Sequence, residues 1–548
     1  MKTNRVLSLA VGTTLVLILF NTVVRVWADP MQSTIMNITG PLANYNGAGV
    51  KIGQEELWVP TNHVDLGSNP ISTFVFPGAI FNSNFVNHAT EVAGVMVSTN
   101  PLTMGISPGA SLYSDAPGVG PTAQVVAAYY LATNNGASVI NMSYGIPAFN
   151  PSTGLRQTNA TGNSFWEQGL DSLAEHYGVT IVQAAGNQGR SGTNSIVVPA
   201  GAYNNIVVGS VSNSLPTGMW PTSSTGYLVD GRSKPDVVAP GGGVTMPGYV
   251  TGGPSTQTIQ KVSSGTSFAA PAVAGLIADL KQAAAVNVGT IPNSFAYNGN
   301  SVQDPLVIKA NLLNAATPLP GWTQGGTTTN NGLITVVHPL DPNQGAGLVN
   351  GAATYNQYIN AGSKDLVTSV GGRFPNGSTT NSPVNGQLAP TGWDLSNVGF
   401  GLTNLYQESS MSTGGIAITL DWNREINDDG TNYPVLRLAD LNLDLWWSPN
   451  SAYTNVTLVA QSVSPVDNDQ HLYFTNSMAG YYEFGVYYLN NSIPGIYGNT
   501  NLFQGGETYG IAYNFMAVPE PSTWLLTSAG ITALWQWRRR RRRRRNRS

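Results

Sequence analysis

Residues 264–277 combine hydroxyl side chains with the pattern of an apolar helix. Gly265, Thr266 and Ser267 come directly before the apolar run, and Pro271 falls in its first turn, where a missing N–H costs little. The free N–H groups and the positive dipole end of a helix N-terminus can stabilise an oxyanion formed beside them. The pattern therefore suits a hydroxyl nucleophile, but taken alone it is more typical of N-capping by Thr266 or Ser267, so the catalytic interpretation needs support from other residues.

A serine acts as a nucleophile when a neighbouring base takes its proton, and five histidines are available in the chain. An imidazole titrates near neutral pH and suits this role. His88 is the candidate, because it begins a second small-residue pattern, residues 88–96, that predicts a helix. A single histidine is more often structural than catalytic, so His88 needs support from its surroundings.

Strand and helix patterns alternate around these residues, from about Gly47 to Tyr358. Strands that are apolar along their whole length and alternate with helices are typical of a parallel sheet with both faces covered. The sequence therefore predicts an α/β fold with a mostly parallel sheet and helices on both faces. The predicted strands include residues 50–54, 138–142, 179–183 and 205–209, and the predicted helices include residues 124–133, 165–176 and 268–284.

The character of the chain changes after about residue 365. Long helix patterns disappear, and alternating runs at residues 416–422, 441–447 and 481–489 lie between turns rich in Asn, Gly, Ser and Pro. This alternation predicts an all-β antiparallel sandwich of about eight strands. Trp446 and Trp447 are adjacent in one strand, so only one of them can face the core. The other could stack on a sugar or a peptide.

Seven short motifs follow one another through the α/β region. They are residues 49–56, 88–94, 105–110, 139–145, 184–187, 234–241 and 265–275. Together they resemble the motifs of the subtilisin-like (subtilase) serine peptidases, and residues 310–314 and 345–350 resemble the end of the same domain. The resemblance implies a subtilisin-like fold and a serine-type endopeptidase, which hydrolyses peptide bonds in protein or peptide substrates through an acyl-enzyme.

The resemblance also implies roles for individual residues. Ser267 matches the nucleophile, and His88 matches the general base that later protonates the leaving amine. Asn187 matches the side-chain amide that donates to the oxyanion, with the backbone N–H of Ser267 as the second donor. The alternative for Asn187 is a turn residue in the Gly-Asn-Gln-Gly stretch that contains it.

Four further residues are expected to contact substrate. Ser143, Tyr144 and Gly145 match an edge segment that pairs with an extended peptide through backbone hydrogen bonds, and Gly186 precedes the candidate oxyanion donor. No cofactor and no metal ligands are expected. A structural calcium ion would be compatible with the fold, but residues 427–430 fit a hairpin turn at least as well as a calcium loop.

The acid of the triad departs from the family pattern. The place of the usual aspartate falls on Glu56, 32 residues before His88. A glutamate can also accept the Nδ1 hydrogen bond of a histidine and stabilise its imidazolium. Two alternatives remain open at this stage: Glu55, which strand alternation would turn to the opposite face, and Asp65. A chain with no suitable acid would be a catalytically inactive relative.

Composition and charge limit the classes of function. The chain of 548 residues has no cysteine, which excludes disulfides and cysteine nucleophiles. Twelve of the 24 basic residues lie near the two ends, so the rest of the chain carries only 12 against 28 acidic residues. A body this acidic would repel nucleic acid, so no nucleic-acid partner is expected.

Both ends resemble targeting signals. Lys2 and Arg5 precede an apolar run, and the small residue Ala28 follows, as in a secretory signal peptide with an uncleaved anchor as the alternative. At the other end, Pro519-Glu520-Pro521 precedes a short apolar segment and eight consecutive arginines. This order resembles the PEP-CTERM sorting signal, which implies processing by an exosortase-type enzyme and contact with the cytoplasmic membrane. A permanent tail anchor is the alternative.

These patterns predict four segments: a signal peptide at 1–28, a subtilisin-like peptidase domain at 29–362, a β-sandwich domain at 363–515 and a PEP-CTERM segment at 516–548. The predicted function is an exported serine endopeptidase at the cell surface or outside the cell, anchored transiently or permanently by its C-terminus. The alternative is a catalytically inactive surface protein of the same fold that binds peptides or glycans.

Overall fold

The computed structural model describes residues 30–79, 83–249, 260–287, 303–360, 369–371, 382–383, 388–408, 414–474, 478–491 and 506–515. The predicted signal peptide and the PEP-CTERM segment lie outside the described residues. We refer to residues 30–360 as the N-terminal region and to residues 369–515 as the C-terminal region.

An eight-stranded sheet forms the centre of the N-terminal region, in the order β2-β3-β1-β4-β5-β6-β7-β8. Every neighbouring pair is parallel except β7 and β8. This confirms the predicted mostly parallel sheet. Its strands are β1 (Lys51–Glu55), β2 (Ser72–Val75), β3 (Ser111–Ala116), β4 (Val139–Met142), β5 (Thr180–Ala184), β6 (Ile206–Ser212), β7 (Val237–Pro247) and β8 (Gln260–Ser264).

Helices cover both faces of this sheet. The helices are α1 (Pro30–Ile35), α2 (Ser83–Val97), α3 (Pro121–Thr133), α4 (Phe165–Tyr177), α5 (Thr266–Asn287), α6 (Pro305–Asn314) and α7 (Gly351–Tyr355). One core joins α2 and α5 to strand residues such as Val139, and a second joins α3 and α4 to alternate residues such as Ile140. Neighbouring residues of a strand face opposite sides of the sheet, and here both sides are covered by helices. Both residues are therefore buried, which explains why the strands are apolar along their whole length.

Local signals account for two helix boundaries. Helix α4 begins with a capping box, in which Ser164 and Glu167 satisfy each other's backbone N–H groups, and ends at Gly178 in the left-handed conformation. Helix α2 begins at Ser83, before the predicted start at His88. The buried Val86 and Thr90 lie one turn apart on the same face, so the apolar stripe extends upstream of the histidine.

Helix α5 is the one described helix that is long and apolar enough to cross a membrane. Its most apolar window is 83% buried inside the protein, where it packs against α2 and the central strands. Burial within the core of a sheet protein explains this composition.

The C-terminal region contains two sheets and a small hairpin, which confirms its predicted all-β antiparallel character. The predicted strands 416–422, 441–447 and 481–489 correspond to β15 (Ile416–Trp422), β18 (Ala439–Ser448) and β21 (Tyr481–Asn491). Its strands are β11 (Ser369–Gly371), β12 (Ser382–Pro383), β13 (Thr391–Val398), β14 (Thr403–Gln407), β15 (Ile416–Trp422), β16 (Glu425–Ile426), β17 (Val435–Arg437), β18 (Ala439–Ser448), β19 (Thr457–Ser462), β20 (Asp469–Phe474), β21 (Tyr481–Asn491) and β22 (Glu507–Asn514).

The two sheets pack face to face around one apolar core. The four-stranded sheet, β13-β22-β15-β20, contributes residues such as Leu420, and the larger sheet contributes residues such as Phe484. Trp447 is partly buried and packs against this core, and its indole N–H donates to the carbonyl of Ala479 at 3.2 Å, whereas the neighbouring Trp446 is buried outside this core. Only one of the paired tryptophans therefore faces the core, as strand alternation requires.

The two regions share strands as well as cores. A hairpin from the N-terminal region, β9 (Thr327–Asn330) and β10 (Leu333–Val336), joins the larger C-terminal sheet, where β10 pairs with β19 in parallel. In the opposite direction, Trp393 and Ala512 of the C-terminal strands belong to the core of the N-terminal region. The C-terminal region is therefore packed into the α/β region rather than tethered to it.

Two groups of buried ion pairs link the N-terminal region to the C-terminal region. Lys309 of α6 lies 2.8 Å from the carboxylate of Asp421 and 3.8 Å from those of Asp236 and Asp469. Arg424 forms an ion pair with Asp171 of α4, and both side chains are fully buried. Buried charges are tolerated only when paired, so each group fixes the two regions in one arrangement.

Candidate active site

Ser267 lies in the first turn of α5 and is held by a reciprocal pair of hydrogen bonds. Pro271 has no N–H, so the carbonyl of Ser267 has no helical donor four residues later. Ser143 supplies the missing donor, because its hydroxyl donates to this carbonyl at 2.9 Å. In return the Ser267 hydroxyl donates to the carbonyl of Ser143 at 3.1 Å. The candidate nucleophile is therefore joined directly to the segment expected to bind substrate.

Glu56 and His88 are in contact. Glu56 follows the last residue of β1, and its Oε1 atom is hydrogen-bonded to His88 Nδ1 in the second turn of α2. A histidine whose Nδ1–H is held by a carboxylate presents an unprotonated Nε2, which is the form that can act as a base. The His88 ring lies 5.6 Å from the ring of Phe268, so the imidazole adjoins the first turn of α5.

The other two candidate acids lie elsewhere. Glu55 points to the opposite face of the sheet, where its Oε1 accepts the Tyr144 hydroxyl at 2.6 Å. Asp65 lies in a short 3-10 turn, and its Oδ1 accepts the side-chain amide of Asn100 at 2.7 Å. Of the three carboxylates considered from the sequence, only Glu56 bonds to His88.

Asn187 is oriented by the residue that precedes Ser267. The backbone N–H and the hydroxyl of Thr266 donate to Asn187 Oδ1 at 2.9 and 3.2 Å. With its oxygen held, the amide of the exposed Asn187 presents Nδ2 as a donor beside the first turn of α5. Thr266 also accepts from the N–H of Gly186 at 3.0 Å, and this role of the threonine was not predicted from the sequence.

Gly186 occupies a position that other residues would strain. Its φ of +108° lies in the region that favours glycine, and an added Cβ would come within 2.4 Å of Val197 Cγ1. Its carbonyl accepts the N–H of Ser224 at 2.8 Å. The glycine therefore fixes the turn that carries Asn187.

A second contact to α5 was also missed by the sequence analysis. The side-chain amide of Gln32 in α1 donates to the carbonyl of Pro240 at 2.9 Å and to that of Phe268 at 3.3 Å. Gln32 thereby links β7 to the residue after Ser267. No motif marks this glutamine, because its partners lie more than 200 positions away.

A cavity of about 560 Å³ opens beside His88 and Glu56. Its walls include Leu57, Phe85 and Tyr144. The predicted edge segment continues from the end of β4, and the segment after Gly145 pairs in antiparallel fashion with residue 198. The cavity therefore lies between the candidate base and the segment expected to align a peptide.

Comparison with known proteins identifies the family. A profile of the Subtilase family matches residues 77–347. Subtilisin DY from Bacillus licheniformis is 31% identical over 278 residues, which cover 49% of this chain and 90% of that protein. The chain belongs to the subtilase family. Subtilases are serine-type endopeptidases that act on protein or peptide substrates, so the enzyme class predicted from the motifs is confirmed.

Other comparisons cover similar parts of this subtilase. Subtilisin E from Bacillus subtilis (strain 168) is 31% identical over 264 residues, which cover 46% of this chain and 61% of that protein. The solved structure of the self-cleaved protease domain of PatA matches with a TM-score of 0.41 and 20% identity, covering 57% of this chain and 97% of the other. The family profile includes His88, Asn187 and Ser267 but begins after Glu56. The observation that points to Glu56 is therefore its contact with His88.

The surroundings of His88 favour its charged form. Burial lowers the pKa of His88, but the charge and the hydrogen bond of Glu56 and the charge of Glu91 outweigh this effect and raise the pKa above its ordinary value. Glu91 lies one turn further along α2, 4.0 Å from Lys261 Nζ. Burial raises the pKa of Glu91, despite the hydrogen bond from Asn87.

Residues 427–430 form the turn of a hairpin. They lie in the hairpin of β16 and β17, where Asp429 accepts the backbone N–H groups of the three residues from 431 to 433. The neighbouring Asp428 accepts the hydroxyls of Tyr129 and Tyr177. Within the described ranges, no group of three His, Cys, Asp or Glu side chains is arranged to hold a metal ion.

Glu55 and Asp115 form a buried carboxyl pair behind Tyr144. The two residues are aligned on the adjacent strands β1 and β3, and both are fully buried. Burial raises the pKa of Glu55 to about 8, although the Tyr144 hydrogen bond lowers it. Burial, together with the charge of Glu55, raises the pKa of Asp115 well above its ordinary value. The carboxyl group of Glu55 is therefore largely protonated in the folded protein at pH 6.

This pair predicts a loss of stability in alkaline solution. An unfolded Glu55 titrates near 4.5 and the folded one near 8, so its stabilising contribution is complete below 4.5 and lost as the pH rises through 8. The unfolding free energy of the wild type should decrease between pH 6 and pH 9. In Glu55→Gln this decrease should be smaller by about 2 kcal/mol. Urea unfolding at both pH values measures this difference.

The control is Asp429→Asn. Asp429 is exposed, and backbone hydrogen bonds lower its pKa to about 2, so the variant should change stability equally at pH 6 and pH 9. An unchanged pH dependence in Glu55→Gln would contradict the prediction.

Proposed function

We propose that this subtilase is an exported endopeptidase whose triad is Glu56, His88 and Ser267, with Asn187 as an oxyanion donor. The observation that carries the proposal is the hydrogen bond between Glu56 and His88 Nδ1 beside the helix that begins with Ser267. The three side chains can supply a nucleophile, a base and a stabilising charge, so the proposed reaction assigns no step to a cofactor.

Substrate binding begins the proposed reaction. An extended peptide pairs with Ser143, Tyr144 and Gly145 through backbone hydrogen bonds, and its side chains enter the cavity beside Tyr144. The Ser267 hydroxyl must then leave the carbonyl of Ser143 and turn towards His88, since hydrogen bonds of a triad often tighten only when substrate is bound.

Proton transfer and attack follow. His88 Nε2 takes the hydroxyl proton while Ser267 Oγ attacks the peptide carbonyl, and Glu56 stabilises the imidazolium that forms. The backbone N–H of Ser267 and Asn187 Nδ2 donate to the oxyanion. His88 then protonates the leaving amine, and water releases the acyl group by the same steps in reverse. The raised pKa of His88 is consistent with a site that stabilises the imidazolium.

An active-site label tests this function. A fluorophosphonate should attach to Ser267 in the wild-type protein and should not attach in Ser267→Ala. Ser264→Ala is the matched control, because Ser264 lies three residues upstream and its hydroxyl accepts the N–H of Gly243. A wild-type protein that folds but takes no label would contradict the proposal and favour a non-catalytic protein that binds peptides or glycans.

The proposal includes export. The order of charge, apolar residues and small residues in segment 1–28 supports a secretory signal, and segment 516–548 supports processing by an exosortase-type partner at the cytoplasmic membrane. Labelling of Ser267 in protein recovered from the cell exterior would test activity and location together.

A further inference from the structure

A glutamate in the position of the family's aspartate has a longer side chain, so its carboxylate needs additional contacts to stay in one position. Glu56 follows the end of β1 and has one more rotatable bond than an aspartate, so its carboxylate has more positions available to it. His88 Nδ1 holds one carboxylate oxygen, Oε1. What holds the second oxygen decides whether the carboxylate stays aligned with the imidazole.

Gln54 lies where it can hold that oxygen. Residues two apart in a strand face the same side of a sheet, so Gln54 and Glu56 share one face while Glu55 takes the other. The Gln54 side chain is fully buried, and its Nε2 lies 3.5 Å from Glu56 Oε2. The same Nε2 donates to the carbonyl of Ala89 at 2.9 Å.

The contact with Ala89 gives Gln54 a fixed position relative to the base. Ala89 is the residue after His88 in α2, so one amide nitrogen bridges the acid and the backbone of the helix that carries the imidazole. An amide has two N–H groups and can donate to both acceptors at once. Because the three groups are buried, these hydrogen bonds do not compete with water.

A matching amide lies on the next strand. Asn141 of β4 is aligned with Gln54 of β1, and its Nδ2 donates to the Ser143 hydroxyl at 3.0 Å. That hydroxyl in turn donates to the carbonyl of Ser267. Neighbouring strands thus support opposite sides of the site: Asn141 supports the nucleophile, and Gln54 supports the acid.

We propose that Gln54 is a positioning residue that holds the Glu56 carboxylate against His88. This inference rests on the proposed triad and adds to it. Gln54 does not contact substrate; it acts through Glu56. It explains how this subtilase can use a glutamate where the family pattern has an aspartate.

Gln54→Met is the first test, since methionine has a similar length but no N–H group. We expect kcat to fall about 10- to 100-fold, the range expected for one lost hydrogen bond to a charged group, with KM nearly unchanged. The acid limb of the pH profile of kcat/KM should move to lower pH, because a loosened Glu56 raises the pKa of His88 less. A merely structural role would lower stability and leave this limb in place.

The matched control is Gln357→Met. Gln357 is also a buried glutamine whose Nε2 donates to two acceptors, the carbonyls of Gly392 and Tyr513, but it lies on another element. This variant should lose stability and keep both kcat and the pH profile. If Gln54→Met does not fold, Gln54→Asn serves the same comparison, because it keeps the amide but shortens its reach, and the same decrease in kcat is expected.

A double-mutant cycle completes the test. In Glu56→Asp the carboxylate lies further from Gln54, so adding Gln54→Met should reduce kcat much less than it does in the wild type. Equal reductions in both backgrounds, or an unchanged kcat and acid limb in Gln54→Met, would overturn the inference. If the proposed triad is wrong, the wild type takes no fluorophosphonate label. If only the Gln54 inference is wrong, Gln54→Met is labelled at the same rate as the wild type.

Discussion

Glu56→Gln should lower kcat/KM about 10⁴-fold while the protein remains folded. Glutamine has the shape of glutamate, but its amide can present an N–H group to His88 Nδ1 and so favour the tautomer that carries its proton on Nε2. That tautomer cannot accept the Ser267 proton. The substitution also removes the charge that stabilises the imidazolium. Steady-state kinetics on a peptide substrate measures the decrease, and circular dichroism confirms the fold.

Two control variants decide which carboxylate acts. Glu55→Gln removes a carboxyl group that is protonated near neutral pH and faces away from His88, so activity at pH 7 should change little. Asp65→Asn should also leave kcat nearly unchanged, because its partner is Asn100. A full loss in either variant, with normal activity in Glu56→Gln, would assign the acid to that residue instead.

Arg424→Met should destabilise the protein by about 3–5 kcal/mol, because it leaves the buried Asp171 without its counter-charge. Arg424 also lies 4.2 Å from the ring centre of Tyr203 and donates to Asn163 at 3.0 Å. These contacts join the C-terminal region to the α/β region. Urea unfolding should therefore show one transition, at lower urea than in the wild type, for both fluorescence and peptidase activity.

Two control variants test whether the loss of stability comes from the unpaired buried charge. Asp171→Asn combined with Arg424→Met removes the unpaired charge and should recover part of the lost stability. Arg156→Met removes an exposed arginine that stacks on Phe149, and we expect a loss below about 1 kcal/mol. The opposite result is that Arg424→Met unfolds in two steps, with activity lost only in a second step at the same urea concentration as in the wild type. That result would show that the two regions unfold independently, and it would contradict the prediction.

The sequence was most informative where chemistry requires particular residues at short range. The order of motifs placed Ser267, His88 and Asn187 in one fold, and strand alternation predicted that Glu55 and Glu56 face opposite sides of the sheet. The structure adds the contact that alternation alone could not supply, the hydrogen bond between Glu56 and His88. Gln54 could have been found by the same reasoning, since it lies two residues before Glu56 in the strand.

Long-range contacts were beyond sequence reasoning for a physical reason. Arg424 and Asp171 are separated by 253 positions, and β10 pairs with β19 across more than a hundred residues. Neither pair has a local pattern, because an ion pair or a parallel strand pair depends on how whole elements pack. The predicted division at residue 362 rests on a change of sequence pattern, and the strands and cores that cross it become visible only in three dimensions.

The packing of β22 against α6 has a consequence for the time at which proteolysis can begin. Gly510 lies so close to α6 that a Cβ atom there would come within 2.7 Å of the backbone of Leu306. Translation proceeds from the N-terminus, so the α/β region waits for strands encoded about two hundred codons later before its packing is complete. A nascent chain that has not yet reached residue 507 lacks β22. The order of synthesis thus delays completion of the peptidase fold until β22 has been made.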